Sequence, residues 1–383
     1  MLPQLHRHPW MDEEIEAFRE QVRRYIAGEL TPHMDHWRRQ GYIPREVWHT
    51  FGQMGFLLPE IEETYGGAGA SLAYQLVVQD ELAKAEVPAT TAVHSIATHY
   101  ILDYGTAAQK QRWLPKLVSG ELLAGIAMTE PGCGSDLQAL RTRARLEGNE
   151  YVIDGSKTFI TNGFTANLLV VAVRTGEAGS RGVSLIILET ENLAGFQVGK
   201  RLEKLGQHAS DTAELSFNHV RVPVEHLLGE TAGKGFAQLM SQLPYERLLL
   251  AVPAAAVIER AVELTLEYTQ QRKVFGQTLY ELQNTRFKLA ECATLAHVVR
   301  TFVNDCTQRL LDGQLDDTAA YMAKWWCTEQ QHKVTDECLQ LFGGYGYITE
   351  YPIARMYADA RVQRIYGGAN EIMKELIARR LPA

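Results

Sequence analysis

The hydrophobic period of this chain changes twice, from helical to alternating and back to helical, and that order limits the folds open to it. From about residue 11 to 125, Ile15, Phe18, Val22, Tyr25 and Ile26 set the pattern, apolar positions recurring among charges at helical spacing. The run Tyr65–Ala70, with three glycines, interrupts this region; it follows no apolar strand, so it reads as a plain turn rather than a phosphate cradle. Between about 126 and 228 the pattern becomes that of strands. Arg143–Leu146 and Tyr151–Ile153 flank Gly148-Asn149 as a hairpin, and Leu168–Val173 and Val183–Leu188 are short β-rich runs. Ala213–Phe217 and His219–Val222 alternate more openly. From residue 229 onward, 254–271, 282–311 and 318–341 each read as a bundle helix.

The expected fold is therefore α+β and multidomain: an N-terminal helical domain over 1–125, a β-barrel or sandwich over 126–228, and a C-terminal four-helix-bundle domain over 229–383. A chain of 383 residues is long enough for two or three domains that pack as one unit. No G-x-G-x-x-G joins a strand to a helix, which argues against a Rossmann domain.

A formal net charge of -8 disfavours general affinity for nucleic acid or anionic membrane. No apolar stretch approaches the roughly 20 residues that span a bilayer. Met1–His6 lacks the basic end and apolar run of a secretory signal, so a cytoplasmic location is expected. Five scattered cysteines without a C-x-x-C pair suit a reducing compartment, and no H-E-x-x-H appears, so no metal is expected.

Four motifs carry possible chemistry, and each has an ordinary reading. Ala127–Asp136 is a two-glycine loop with Thr and Ser hydroxyls, which suits close approach of a ligand but also a surface turn between domains. In Gly155–Gly163, Phe159 could pack on a planar ring, or simply end a strand. Arg272 in Gln271–Gly276 could clamp a pyrophosphate or cap a helix. The Gly-Gly turns in Gln340–Tyr347 and Ile365–Glu371 could be plain helix terminators.

In this order and spacing the four together resemble the acyl-CoA dehydrogenase family, over about residues 11 to 381. The resemblance implies FAD between the β-domain and the C-terminal helices, its adenine end reaching a neighbouring subunit. Ile126, Met128, Thr129, Gly134 and Ser135 would line the flavin and pyrophosphate, with Phe159, Ile160 and Thr161 at the flavin face and N5 edge. Arg272, Phe275 and Gln283, with the turn Gln340, Leu341, Phe342, Gly343 and Gly344, would hold the FAD of the neighbouring chain. Ala369, Asn370 and Glu371 would close over the cofactor. The resemblance further implies an acyl-CoA substrate, a homotetramer, and an electron-transfer flavoprotein as acceptor.

Many members of the family place the catalytic Glu directly after the Tyr of the last turn. Here Tyr366 is followed by Gly367, and Glu371 lies beyond that position. The long-chain and isovaleryl-type subgroup instead carries its base in Leu-Pro-x-Glu-Arg-Leu, which this chain has as Leu243–Leu248. By that resemblance Glu246 is the base and the Gly367 backbone N–H serves the thioester oxygen. Ser135, Ala237, Pro244, Tyr245, Arg247, Gly367 and Gly368 would meet the substrate. Pro244 is expected to open the base helix, placing Glu246 in its first turn, and Pro253 to kink it. Gly235 and Ala237 would precede that helix, either as room for the acyl tail or as packing contacts. An ordinary Glu, with pKa about 4.3, is too weak a base for this step, so burial should raise it. A free-standing Glu at a helix start is more often a solvated cap; it is the missing Glu at 367 that reverses this preference here.

Other outcomes on the same scaffold are an oxygen-using oxidase, a dehydrogenase of carrier-protein-bound acyl groups, and a catalytically dead binding subunit.

Overall fold

The computed structural model describes residues 8–88 and 90–382; the expectation drawn from Met1–His6 lies outside the described residues. Six helices open the chain: α1 (Glu13–Tyr25), α2 (Met34–Gln40), α3 (Arg45–Gln53), α4 (Leu72–Lys84), α5 (Thr90–Tyr104) and α6 (Ala107–Val118). Their ends follow local chemistry. Asp12 caps α1 by accepting from the Ile15 N–H at 2.8 Å, and Thr106 and Gln109 form a reciprocal capping box on α6. The loop at Tyr65–Ala70 is a packing turn as expected, since a Cβ on Gly67 would meet the Ile61 carbonyl oxygen at 1.9 Å.

Seven strands follow: β1 (Ala124–Ala127), β2 (Arg143–Glu147), β3 (Glu150–Thr161), β4 (Leu168–Arg174), β5 (Val183–Glu189), β6 (Phe196–Arg201) and β7 (Thr212–Pro223). They make one sheet in the order β1-β4-β2-β3-β7-β6, with β5 on the other side of β4. The hairpin at Gly148-Asn149 is present, pairing Glu147 with Glu150. Residues 168–173 and 183–188 are buried without a break because one face of β4 and β5 meets the sheet's own core and the other meets the helices. The two runs expected at 213–217 and 219–222 are a single strand, β7. Asn218 and His219 both face out there and reset the alternation, which is why the sequence reads as two.

The C-terminal region holds α7 (Gly235–Gln271), α8 (Gln283–Leu311), α9 (Asp317–Phe342), α10 (Pro352–Gln363) and α11 (Asn370–Ala378). The base helix departs from expectation. α7 runs 37 residues, passing through both Pro244 and Pro253, so Pro244 does not open it and the helix continues past Pro253. Each proline withdraws one backbone bond, and burial of the helix among α4, α8 and α9 outweighs that loss. Gly235 and Ala237 lie in its first turn. A Cβ on Gly235 would meet Ser184 backbone atoms at 2.7 Å, so that glycine serves packing against β5 rather than room for a ligand.

A buried ion network ties the two helical regions together. Asp80 of α4 accepts from Arg19 of α1 at 3.0 Å and from Arg300 of α8 at 2.6 Å, while Arg300 also reaches Glu259 of α7 at 2.7 Å. Burial pushes Asp80 upward, but Arg300, Lys84 and Arg19 more than offset this and hold its pKa well below the usual carboxylate value. The network fixes α4 against α7, and with it the walls of the cleft described next. Among the described residues no helix is long and apolar enough to cross a membrane.

Candidate active site

Glu246 lies in the interior of α7, about three turns from its start, and is 6% exposed. Its Oε1 accepts a hydrogen bond from the hydroxyl of Tyr100 on α5 at 2.5 Å. Burial raises its pKa, and the Tyr100 bond and the Arg247 charge only partly oppose that rise. The burial expected of this carboxylate is thus already built into the fold.

Opposite Glu246 stands the turn Gly367-Gly368. Both glycines have left-handed backbones, with φ of 62° and 89°. A Cβ on Gly367 would meet Leu250 Cδ1 at 2.2 Å. Leu250 is one helical turn beyond Glu246 on the same face of α7, so it fills the space a side chain at 367 would need. Leu250 and a side chain at 367 therefore compete for one volume. The Gly367 N–H has no acceptor among the described residues.

The turn is anchored from below. Lys324 of α9 is fully buried, and its Nζ donates to the Gly368 carbonyl at 2.6 Å and to Asn370 Oδ1 at 2.8 Å. Burial, with the nearby Arg247 charge, lowers its pKa to about 7. Arg247 is buried as well, its guanidinium 4.3 Å from the Tyr321 ring centre and its Nε and Nη1 without acceptors. Two cations under the turn make it a favourable place for negative charge to develop.

The flavin-side residues sit on a separate ledge. Lys157 donates to the Met128 carbonyl at 2.9 Å and to Glu130 at 2.8 Å, and Thr158 N–H reaches the Thr129 carbonyl at 3.0 Å. These bonds lock the 128–135 loop onto β3, leaving Gly134 and Ser135 exposed and Ile126, Met128, Thr129 and Thr161 half-buried. Phe159 is 67% exposed and holds a φ of 58°, a strained backbone for a bulky residue. An aromatic ring held out on a strained backbone fits a flat cofactor face. Cys133 is buried and makes a small bridge with Glu130, a structural role.

The other expected site residues differ in how free their side chains are. Ile160 points into the β core at 2% exposure. Tyr245 is buried, its hydroxyl 2.7 Å from Ser95 Oγ and its ring against His99, so it backs the site instead of facing substrate. Pro244 is an interior position of α7. The Asn370 side chain is used by Lys324, Thr328 and Glu329. Phe342 stacks on Tyr268 at 4.2 Å. Ala237 and Glu371 are exposed, and Ala369 caps α11.

Arg272, Phe275, Gln283, Gln340, Gly343 and Gly344 are exposed and gather where α7 ends, with Leu341 half-buried beside them. The Arg272 guanidinium lies 5.7 Å from the Tyr345 ring centre. Along α7 this end is ~39 Å from Glu246, so one chain does not bring the two groups to the same reacting atoms.

Sequence reasoning missed Tyr100, Leu250 and Lys324. Lys324 had a signal: it occupies the buried stripe Ala320, Ala323, Cys327 and Gln331 of α9, where an unpaired lysine is out of place. Tyr100 looks like any aromatic on a buried helix.

Beside Leu250 a cavity opens between α4, α7 and α10, walled by Leu82, Val87, Leu249, Pro253 and Val257 and reaching Tyr366 next to the glycine turn. From Leu249 to Val257 its wall runs ~12 Å along α7.

Comparison with known proteins places this geometry. The chain matches the models of the acyl-CoA dehydrogenase N-terminal domain over residues 12–121, middle domain over 125–220 and C-terminal domain over 233–381. It is 46% identical over 373 residues to the long-chain specific acyl-CoA dehydrogenase, mitochondrial, of Mus musculus, covering 96% of this chain and 86% of that protein. The crystal structure of acyl-CoA dehydrogenase from Geobacillus kaustophilus superposes with a TM-score of 0.95 at 45% identity, covering 98% of this chain and all of the other. A glutaryl-CoA dehydrogenase from Mycobacterium smegmatis, solved in complex with FADH2, superposes at 0.90 with 26% identity, covering 96% and 94%.

Proposed function

The chain belongs to the acyl-CoA dehydrogenase family, and from that premise we propose that Glu246 is the base of its reaction and Gly367 the site of its developing charge. The activity is flavin-dependent oxidation of an acyl-CoA thioester between Cα and Cβ. FAD is the flavin of this reading, held by the 126–135 loop and by Phe159 and Thr161; when bound it supplies the acceptor for the Cβ hydride.

The chain's own residues do the rest. The Cα–H bond breaks toward the Glu246 carboxylate, which takes the proton while the electron pair moves into the new double bond. A carboxylate of ordinary basicity would be too weak, and burial provides the upward shift. Charge that builds on the thioester oxygen meets the free Gly367 N–H, with Lys324 and Arg247 beneath it. Leu250 packs against the turn at Gly367, one helical turn from the base. The single observation that carries this reading is the buried Glu246 carboxylate on the helix face that packs against a side-chain-free turn.

The acyl tail occupies the cavity beside Leu250 in this reading, supported by its apolar wall of Leu82, Val87, Leu249, Pro253 and Val257. The oligomer is a homotetramer in which the Arg272 and Phe275 end serves a neighbouring subunit's FAD. Its support is the separation of that end from Glu246 and the exposure of Phe275 at 97% and Tyr347 at 90%. The acceptor of the electrons is an electron-transfer flavoprotein, as the resemblance implies. Five free, buried cysteines suit a cytoplasmic setting.

Anaerobic titration of the purified flavoprotein with straight and branched acyl-CoAs tests the reading. Bleaching of the visible flavin band by long-chain thioesters, and its loss in Glu246→Gln with flavin still bound, is the expected result. Near wild-type bleaching in Glu246→Gln would overturn the base assignment. A yellow protein that no acyl-CoA reduces would shift the substrate to a carrier-protein thioester, and rapid reoxidation of the reduced enzyme by air during turnover would indicate an oxidase.

A further inference from the structure

We propose that Tyr100 is a positioning residue for the base: its hydroxyl fixes one oxygen of the Glu246 carboxylate and favours the ionised form that accepts the α-proton. The proposal rests on the reading of Glu246 as the base. The two side chains come from different helices, α5 and α7, and both are buried, Tyr100 fully and Glu246 to 6% exposure. At 2.5 Å the bond is as short as hydrogen bonds to ionised oxygens become. An ionised carboxylate only accepts, so the phenol must donate. Burial, then the charge of Glu246 itself, push the Tyr100 pKa well above its ordinary value, so the phenol keeps the proton it donates.

Other groups around Glu246 do not bond its carboxylate, although the Arg247 charge also favours the ionised form. Arg247, next on the same helix, turns its guanidinium onto Tyr321 of α9. Tyr245 is bonded to Ser95 and packs on His99, which faces Glu60 at 3.5 Å on the far side of α5. Lys324 reaches Gly368 and Asn370. Gly367 and Gly368 carry no titratable side chain. Among the described residues Tyr100 is the one hydrogen-bond donor to the carboxylate.

Two consequences follow for the reaction. Oε1 is committed to Tyr100, so the α-proton is received at Oε2, whose direction is set by the bond on the other oxygen. The bond also opposes the upward push of burial, so that at a given pH more of the enzyme is in the basic form than burial alone would leave.

Tyr100→Phe removes one oxygen atom and leaves the ring's packing in place. The rate of anaerobic flavin reduction by a long-chain acyl-CoA, followed across pH, should show its acidic limb moved up by about one pH unit, with an approximately tenfold lower rate on that limb. The rate on the alkaline plateau should stay within about threefold, with flavin content and acyl-CoA affinity unchanged. Exchange of the α-proton with deuterated water, measured on a thioester analogue that cannot lose the Cβ hydride, should show the same displaced profile. An unchanged profile, or an equal loss at every pH, overturns the role of Tyr100. Glu246→Gln run in parallel separates the two ideas: reduction surviving in that variant means the base itself is misassigned.

Discussion

The chain contains two Gly-Gly turns after helices, and they differ in what lies under them. Gly343-Gly344, after α9, has open space where either Cβ would stand. Gly367-Gly368 has Leu250 and Met373 pressed against those same positions, and a buried lysine holding its carbonyl. Both begin with a glycine in the left-handed region, at φ of 59° and 62°. The same local chemistry thus ends one helix on an open surface and, in the proposed reading, builds one wall of the cleft beside Glu246. Packing beneath the turn, and not the turn itself, makes it a site.

The largest effect should come from giving the packed turn a side chain. Gly367→Ala is expected to lower the rate of flavin reduction by about 100-fold or more, because the oxyanion donor must move by ångströms from its place. Gly343→Ala should cost only the local backbone strain, about 1 kcal/mol in urea unfolding, with reduction by acyl-CoA intact. Equal losses at the two turns would break the contrast. The same packing bears on moving the base: in a Glu246→Gln background, Gly367→Glu should remain nearly inactive until Leu250→Ala clears the volume. Full activity of Gly367→Glu without that change would show that Leu250 yields freely.

Removing the anchor should be milder. Lys324→Met is expected to lower the reduction rate about tenfold with little change in acyl-CoA affinity, since it loosens the turn without occupying the cleft. It also carries a pH signature. The folded-state pKa of Lys324, about 7, lies below its ordinary 10.5, so the unfolded chain binds the proton more tightly. The cost of burying the charge is complete below pH 7, fades as pH rises, and is gone above 10.5. Wild-type stability should therefore rise relative to Lys324→Met between those limits. Parallel curves from urea unfolding would mean Lys324 is not strained by burial.

The smallest effect on chemistry should come from the open end. Phe275→Ser should lower flavin retention and weaken the assembly in sedimentation, while flavin-loaded enzyme keeps its reduction rate to within about threefold. A large loss in the loaded enzyme would place Phe275 in the reacting cleft of its own subunit.

The order of helix, sheet and helix was set by the hydrophobic period, as were the Gly148-Asn149 hairpin and the fully buried strands at 168–173 and 183–188. These depend on residues near one another in the chain, whose pattern survives any packing. The Leu243–Leu248 run and the missing side chain at 367 pointed to Glu246 by resemblance alone. The sequence misplaced the start of α7, because Pro244 disfavours a helix interior locally while burial among three other helices, a non-local term, overrides it. Only the tertiary structure decided that Tyr100, 146 positions away, donates to Glu246, that Leu250 fills the volume over Gly367, and that Lys324 holds the turn from α9. Burial and hydrogen bonding between distant helices leave no periodic trace in either segment, so the residues that surround the Glu246 carboxylate are legible only where the helices meet.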